Sequence, residues 1–135
     1  MTDFVSEYPQ HSEIYALIEA EILRNGGIEY ERAERGKRVR YRTPLRLGEP
    51  APKPGESGHN PLWRQPYQVG GIDFKKGSLD LLLVFDTQPT PPQFNRWPTN
   101  DRFVVHKFIA NERGPLDPAI CDAIEESIRI VKGLS

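Results

Sequence analysis

The placement of proline constrains this chain more than any other feature of its sequence. Proline holds φ at about −65° and has no amide hydrogen, so helix interiors and central strands exclude it. Six of the 13 prolines fall between residues 44 and 66, and four more between 87 and 101. Regular structure must therefore be built from residues 1–43, 67–86 and 102–135. The two proline-rich segments, about 23 and 15 residues long, exceed the usual connection in a compact domain and read as functional or mobile loops.

Within the proline-poor stretches the periodicities are plain. After Ser12, residues Ile14, Leu17, Ile18 and Ile22 recur at spacings of three and four, an amphipathic helix that Asn25-Gly26-Gly27 ends. Phe4, Val5 and Tyr8 are expected to fold back onto it or onto a sheet. Residues 28–33 and 38–43 alternate in period two about a glycine-bearing turn, a β-hairpin. Residues 67–69 and 72–74 read as one strand interrupted by a bulge or bend at Gly70-Gly71. Residues 79–85 are apolar on both faces apart from Asp80, which marks a strand in the middle of the sheet. A last strand spans 102–110. Asp117 as N-cap and Pro118 at the first helical position open a second helix, striped by Ile120, Ile124, Ile128 and Val131 and ended by Gly133.

Helix, four to five antiparallel strands and helix make an α+β fold, a sheet with an N-terminal and a C-terminal helix packed on it and two long proline-rich loops. A single domain over residues 1–135 is expected, and 37% hydrophobic with 27% charged residues is ordinary globular composition. Cys121 is the single cysteine, which excludes an internal disulfide and a cysteine-built zinc site and favours a reducing, cytoplasmic setting. Neither a leader pattern nor an apolar run of about 18 residues is present, so no membrane partner is expected.

The net charge of −1 hides a local asymmetry: residues 1–34 carry −6 and residues 35–46 carry +6. Arg38, Arg40 and Arg42 share one strand face at about 7 Å spacing, close to that of successive phosphates, and are candidate anion-binding residues. With Arg35-Gly36 as a two-residue turn, however, Glu34 faces Lys37, Glu31 faces Arg40, Glu29 faces Arg42, and Tyr30 faces Tyr41 on the opposite side. That register neutralises most of the stripe.

Among titratable residues, Asp80, Asp86, His106 and Lys107 are the catalytic candidates. If their strands are neighbours, Asp80 and His106 come together on one face. An aspartate facing a lysine on adjacent strands is also how some metal-dependent nucleases hold a divalent ion and its water. The second carboxylate such a site needs just before the lysine is missing, since Val105 stands there. Phosphate-loop, dinucleotide-binding and hydrolase signatures are absent. His11, His59 and His106 do not form a metal-ligand spacing, Cys121 reads as a core thiol, and no cofactor is implied.

Both tryptophans lie in the proline-rich segments, each beside an arginine. Trp, Tyr and Arg dominate binding hot spots, and proline lowers the ordering cost of presenting them. Trp63, Arg64, Tyr67, Phe94, Arg96 and Trp97 are therefore the candidate partner-binding residues, the competing reading being that these loops are lids on the core. The leading functional expectation is a non-enzymatic protein-interaction module: a subunit, a self-associating chain or a small inhibitory or immunity-type partner. A nuclease-like enzyme using Asp80, Asp86 and Lys107, and a nucleic-acid or anion binder using the arginine stripe, stand as alternatives.

Overall fold

Apolar residues spaced by three and four place Ile14, Tyr15, Ile18 and Ile22 on one side of helix α1 (Ser12–Arg24), and all four are buried. The computed structural model describes residues 4–43, 68–85, 90–97 and 100–133. Ahead of α1, two short 3-10 turns, Phe4–Glu7 and Pro9–His11, bring Phe4 back onto the core, where its ring meets Phe74 edge-on at 5.7 Å. The helix ends at Gly26, whose φ of +98° lies in the left-handed region. The amides of Gly26 and Gly27 then close onto the carbonyls of Leu23 and Ile22, satisfying acceptors the helix end leaves over. Helix α2 (Pro118–Gly133) starts at the expected cap, with the Ala119 amide donating to Asp117 Oδ1 at 2.8 Å.

Six antiparallel strands are described: β1 (Ile28–Ala33), β2 (Arg38–Arg42), β3 (Gln68–Phe74), β4 (Ser78–Val84), β5 (Asn95–Trp97) and β6 (Asn100–Ile109), in the order β1-β2-β3-β4-β6-β5. The count exceeds the four to five expected because β5 forms inside the second proline-rich segment. Its three residues fall between Pro92 and Pro98 in the sequence, so the paired residues themselves include no proline, and they pair with β6 as the outermost described strand on that side. The first proline-rich segment, 44–66, lies outside the described residues.

The expected bulge falls at Gly70. Strand β3 continues through both glycines, and its register against β2 shifts there: Tyr41 is the partner of Gly70 and Arg42 of Gln68, so Val69 is the extra residue. Gly70 also serves close approach: a Cβ there, where φ is +149°, would lie 1.9 Å from the Leu82 carbonyl oxygen.

Period-two alternation sorts the side chains into two layers. Val39, Tyr41, Ile72, Phe74, Leu79, Leu81, Leu83, Val104 and Phe108 join the buried residues of α1 and α2 in one contiguous core. Phe74 is its aromatic hub, with Tyr15 at 5.2 Å and Tyr8 at 5.6 Å. The opposite face carries Arg38, Arg40, Asp73, Asp80, Leu82 and Lys107.

One polar network sits inside the helix layer. Glu19 on α1 accepts hydroxyl hydrogen bonds from Tyr15 and from the fully buried Tyr41, both at 2.7 Å, and Arg32 Nη2 donates to the Tyr15 oxygen at 3.2 Å. Burial first, and then the Glu19 carboxylate, push both phenols well above the ordinary tyrosine range.

Gly70→Ala should destabilise the domain by about 2 kcal/mol or more, because either β4 or β3 must shift to admit the methyl group; urea denaturation measures it. The raised phenol pKa values make stability fully present below about pH 10, the unfolded tyrosine value, and diminishing above it by up to about 1.4 kcal/mol per pH unit for each tyrosine. Urea midpoints from pH 8 to 11 should show this decline, and Tyr41→Phe should flatten it.

Candidate functional site

The strand registers bring four charged residues into one row across the helix-free face. Arg38 on β2 is the partner of Asp73 on β3, Asp73 of Asp80 on β4, and Asp80 of Lys107 on β6. The two carboxylates are 6% and 4% exposed, and such groups need paired charges to stay ionised. Arg38 supplies a fork to Asp73, through Nε and through Nη2 at 2.9 Å. Lys75 Nζ reaches Asp80 Oδ2 at 2.8 Å, and this bond raises the lysine pKa. Asp80 Oδ1 is buried without a hydrogen-bond partner, while the Lys107 side chain is exposed at the end of the row.

This geometry separates the catalytic candidates. His106 is the β6 partner of Leu81 and belongs to the helix layer, so the expected meeting of Asp80 and His106 on one face is overturned: adjacent residues of a strand point to opposite sides, and it is Lys107 that stands across from Asp80. Asp86 lies outside the described residues. The carboxylate neighbouring Asp80 is Asp73, which the sequence reading passed over although Ile72-Asp-Phe74 carries the same signal as Leu79-Asp-Leu81, an acid inside an apolar strand. Among the described residues, no three His, Cys, Asp or Glu side chains are grouped to hold a metal ion.

The arginine stripe is largely ion-paired. Arg38 binds Asp73, Arg40 Nη1 binds Glu31 Oε1 at 2.8 Å, and Lys37 binds Glu34 across the turn. The expected pairs Glu29 with Arg42 and Tyr30 with Tyr41 do not form, because the β1–β2 register shifts between Glu29 and Glu31, setting Glu29 opposite Tyr41 and Ile28 opposite Arg42. Glu29 turns instead to Arg32, with Nε at 2.8 Å. The Nε of Arg42 is buried and unbonded.

The described part of the second proline-rich segment, residues 90–97, lies along β6 and beside α2. Phe94 is 6% exposed and belongs to the core, and Trp97 packs partly buried against it. Arg96 donates from Nε to Thr90 Oγ1 at 2.9 Å and from Nη1 to the Phe85 carbonyl. Phe94 and Arg96 thus fasten the segment down and offer a partner little surface. Trp63, Arg64 and Tyr67 lie outside the described residues.

At the turn before Phe94, Gln93 adopts a φ of +72°, a conformation that is unfavourable for a residue with a side chain and is held by its surroundings. Its Nε2 donates to Asp117 Oδ2 at 2.8 Å, and its carbonyl accepts from His106 Nδ1 at 2.8 Å. The Gln93 amide, followed by the Ala119 amide, holds the Asp117 carboxyl below the usual aspartate range. The His106 ring stands edge-on to Phe108 at 4.6 Å and tilted to Phe94 at 5.6 Å.

Two clefts flank this corner. One, of about 450 Å³, has Phe85, Pro91, Pro92, Ala119 and Ala123 as its apolar lining and Asp122, Glu125, Glu126 and Arg129 as its charged lining. The other, of about 390 Å³, includes His106, Lys107, Phe108, Glu112 and Leu116. Cys121 on α2 is a partly exposed thiol whose pKa burial pushes up, which makes it a poor nucleophile.

Comparison with protein-family models, with curated proteins and with solved structures found no match to this chain.

Since Arg38 and Arg40 already hold carboxylates, the stripe should not retain single-stranded DNA at physiological ionic strength. Chromatography on immobilised oligonucleotide across a salt gradient checks this. Retention that Arg40→Ala with Arg42→Ala abolishes would restore the stripe as an anion site.

Proposed function

We propose that this chain is a protein-binding domain without catalytic activity of its own, and that it engages its partner at the cleft between the second proline-rich segment and α2. The observation that carries the reading is the composition of that cleft: an apolar lining of Phe85, Pro91, Pro92, Ala119 and Ala123 beside three carboxylates, Asp122, Glu125 and Glu126, against one arginine. Arg129 is itself ion-paired with Glu126, so the net potential is negative. A basic segment of a partner protein, anchored by one apolar side chain, matches both features. Pro91 and Pro92 help here because their fixed φ limits what the loop loses in freedom on binding. The internal pairing of Asp73 and Asp80 with Arg38 and Lys75 favours this reading over metal-assisted chemistry on the opposite face.

Among the described residues no helix is long and apolar enough to cross a membrane. We place the domain in the cytoplasm, as a subunit or small inhibitory partner, where the single thiol of Cys121 stays reduced.

The test is affinity purification from the native host with the wild-type chain, followed by titration of the captured protein against Asp122→Lys with Glu125→Lys. Both positions are on the helix surface, so the fold should be retained by circular dichroism while affinity drops about tenfold or more. A partner that binds the doubly reversed variant as tightly as wild type would refute the assignment of this cleft.

A further inference from the structure

His106 is held in a defined orientation by the Gln93 carbonyl and by the rings of Phe94 and Phe108. A carbonyl oxygen can only accept, so the bond to Gln93 puts the ring hydrogen on Nδ1 and leaves Nε2 of the neutral imidazole as an acceptor. Nε2 makes no hydrogen bond to any described residue, and His106 lines the cleft of about 390 Å³, a size that suits a small organic molecule. The carbonyl that orients the ring belongs to Gln93, kept at its positive φ while its side chain is tied to the α2 cap through Asp117. Conformational strain of this kind concentrates at ligand sites.

The chemistry of the cleft selects the ligand. Among the described residues its polar lining is mostly acceptors: His106 Nε2, the Gln93 side-chain oxygen left once Nε2 binds Asp117, and the carboxylates of Asp117 and Glu112, against the ammonium of Lys107. Phe108, Leu116 and Ile120 supply an apolar wall. Two carboxylates disfavour an anion, and the imidazole and carboxylates are not grouped as a metal site.

We propose that this cleft binds a small organic ammonium ion, a primary amine carried on an apolar or aromatic body. One ammonium N–H donates to His106 Nε2, the Asp117 and Glu112 carboxylates balance the charge, and the hydrocarbon lies against Phe108 and Leu116. The inference stands apart from the partner-binding reading, since among the described residues the two clefts have no lining residue in common.

The test is an NMR titration of the full chain with benzylamine at neutral pH, with benzoate and Zn²⁺ alone as controls. Saturable shifts at His106, Phe108 and Leu116 are expected with benzylamine and not with benzoate. His106→Phe keeps an aromatic ring between Phe94 and Phe108 while removing the acceptor, and should weaken binding about tenfold. Asp117→Asn keeps both the helix cap and a partner for Gln93, so it should fold as wild type and bind several-fold more weakly. The proposal is overturned if benzylamine gives no saturable shift, if benzoate binds as tightly, if Zn²⁺ alone shifts these residues and benzylamine does not, or if Asp117→Asn binds with unchanged affinity.

Discussion

Strands β3 and β4 are buried along their whole length on both faces, and the rest of the structure answers to that condition. Any polar side chain on either strand leaves water on folding and must find its partner inside the protein. Asp73 and Asp80 do so sideways, through Arg38 on the next strand and Lys75 at the connecting turn. The arginine stripe of β2 is therefore in part a structural requirement of β3. Removing Arg38 would leave the Asp73 carboxylate, 6% exposed, without the fork of two bonds that holds its charge inside the protein.

Burial on both faces also fixes the backbone. With β2 on one side and β4 on the other, β3 is squeezed at Gly70, where a side chain would run into the Leu82 carbonyl. Twin glycines in a strand pattern announce the bulge in the sequence, but not the neighbour whose closeness demands Gly70.

The elements that depend on local patterning were legible: both helices, the Asp117–Pro118 start of α2, the hairpin and its Glu31–Arg40 pair. What escaped notice depends on the register between strands. A shift between Glu29 and Glu31 redirects Glu29 from Arg42 to Arg32, and nothing in an alternating run of charges announces where an extra residue is inserted. Pairing across β4 and β6 decides that Lys107, and not His106, faces Asp80. The importance of Gln93 was hidden for a third reason: its positive φ is unusual for glutamine and is sustained by contacts with Asp117 and His106 from distant parts of the chain. Its partners reside in segments with strong patterns of their own, and only folding links them.

The irregularity in β1 has a consequence of its own. Among the described strands β1 forms one margin of the sheet, and a flat margin with free amides and carbonyls invites the same margin of another molecule to continue the ladder. The inserted residue at position 30 bends that template, and Glu29, Glu31 and Arg32 line it with charge. Edges built this way resist end-to-end polymerisation. The described β1 margin is thereby a poor template for a backbone ladder between copies of the chain.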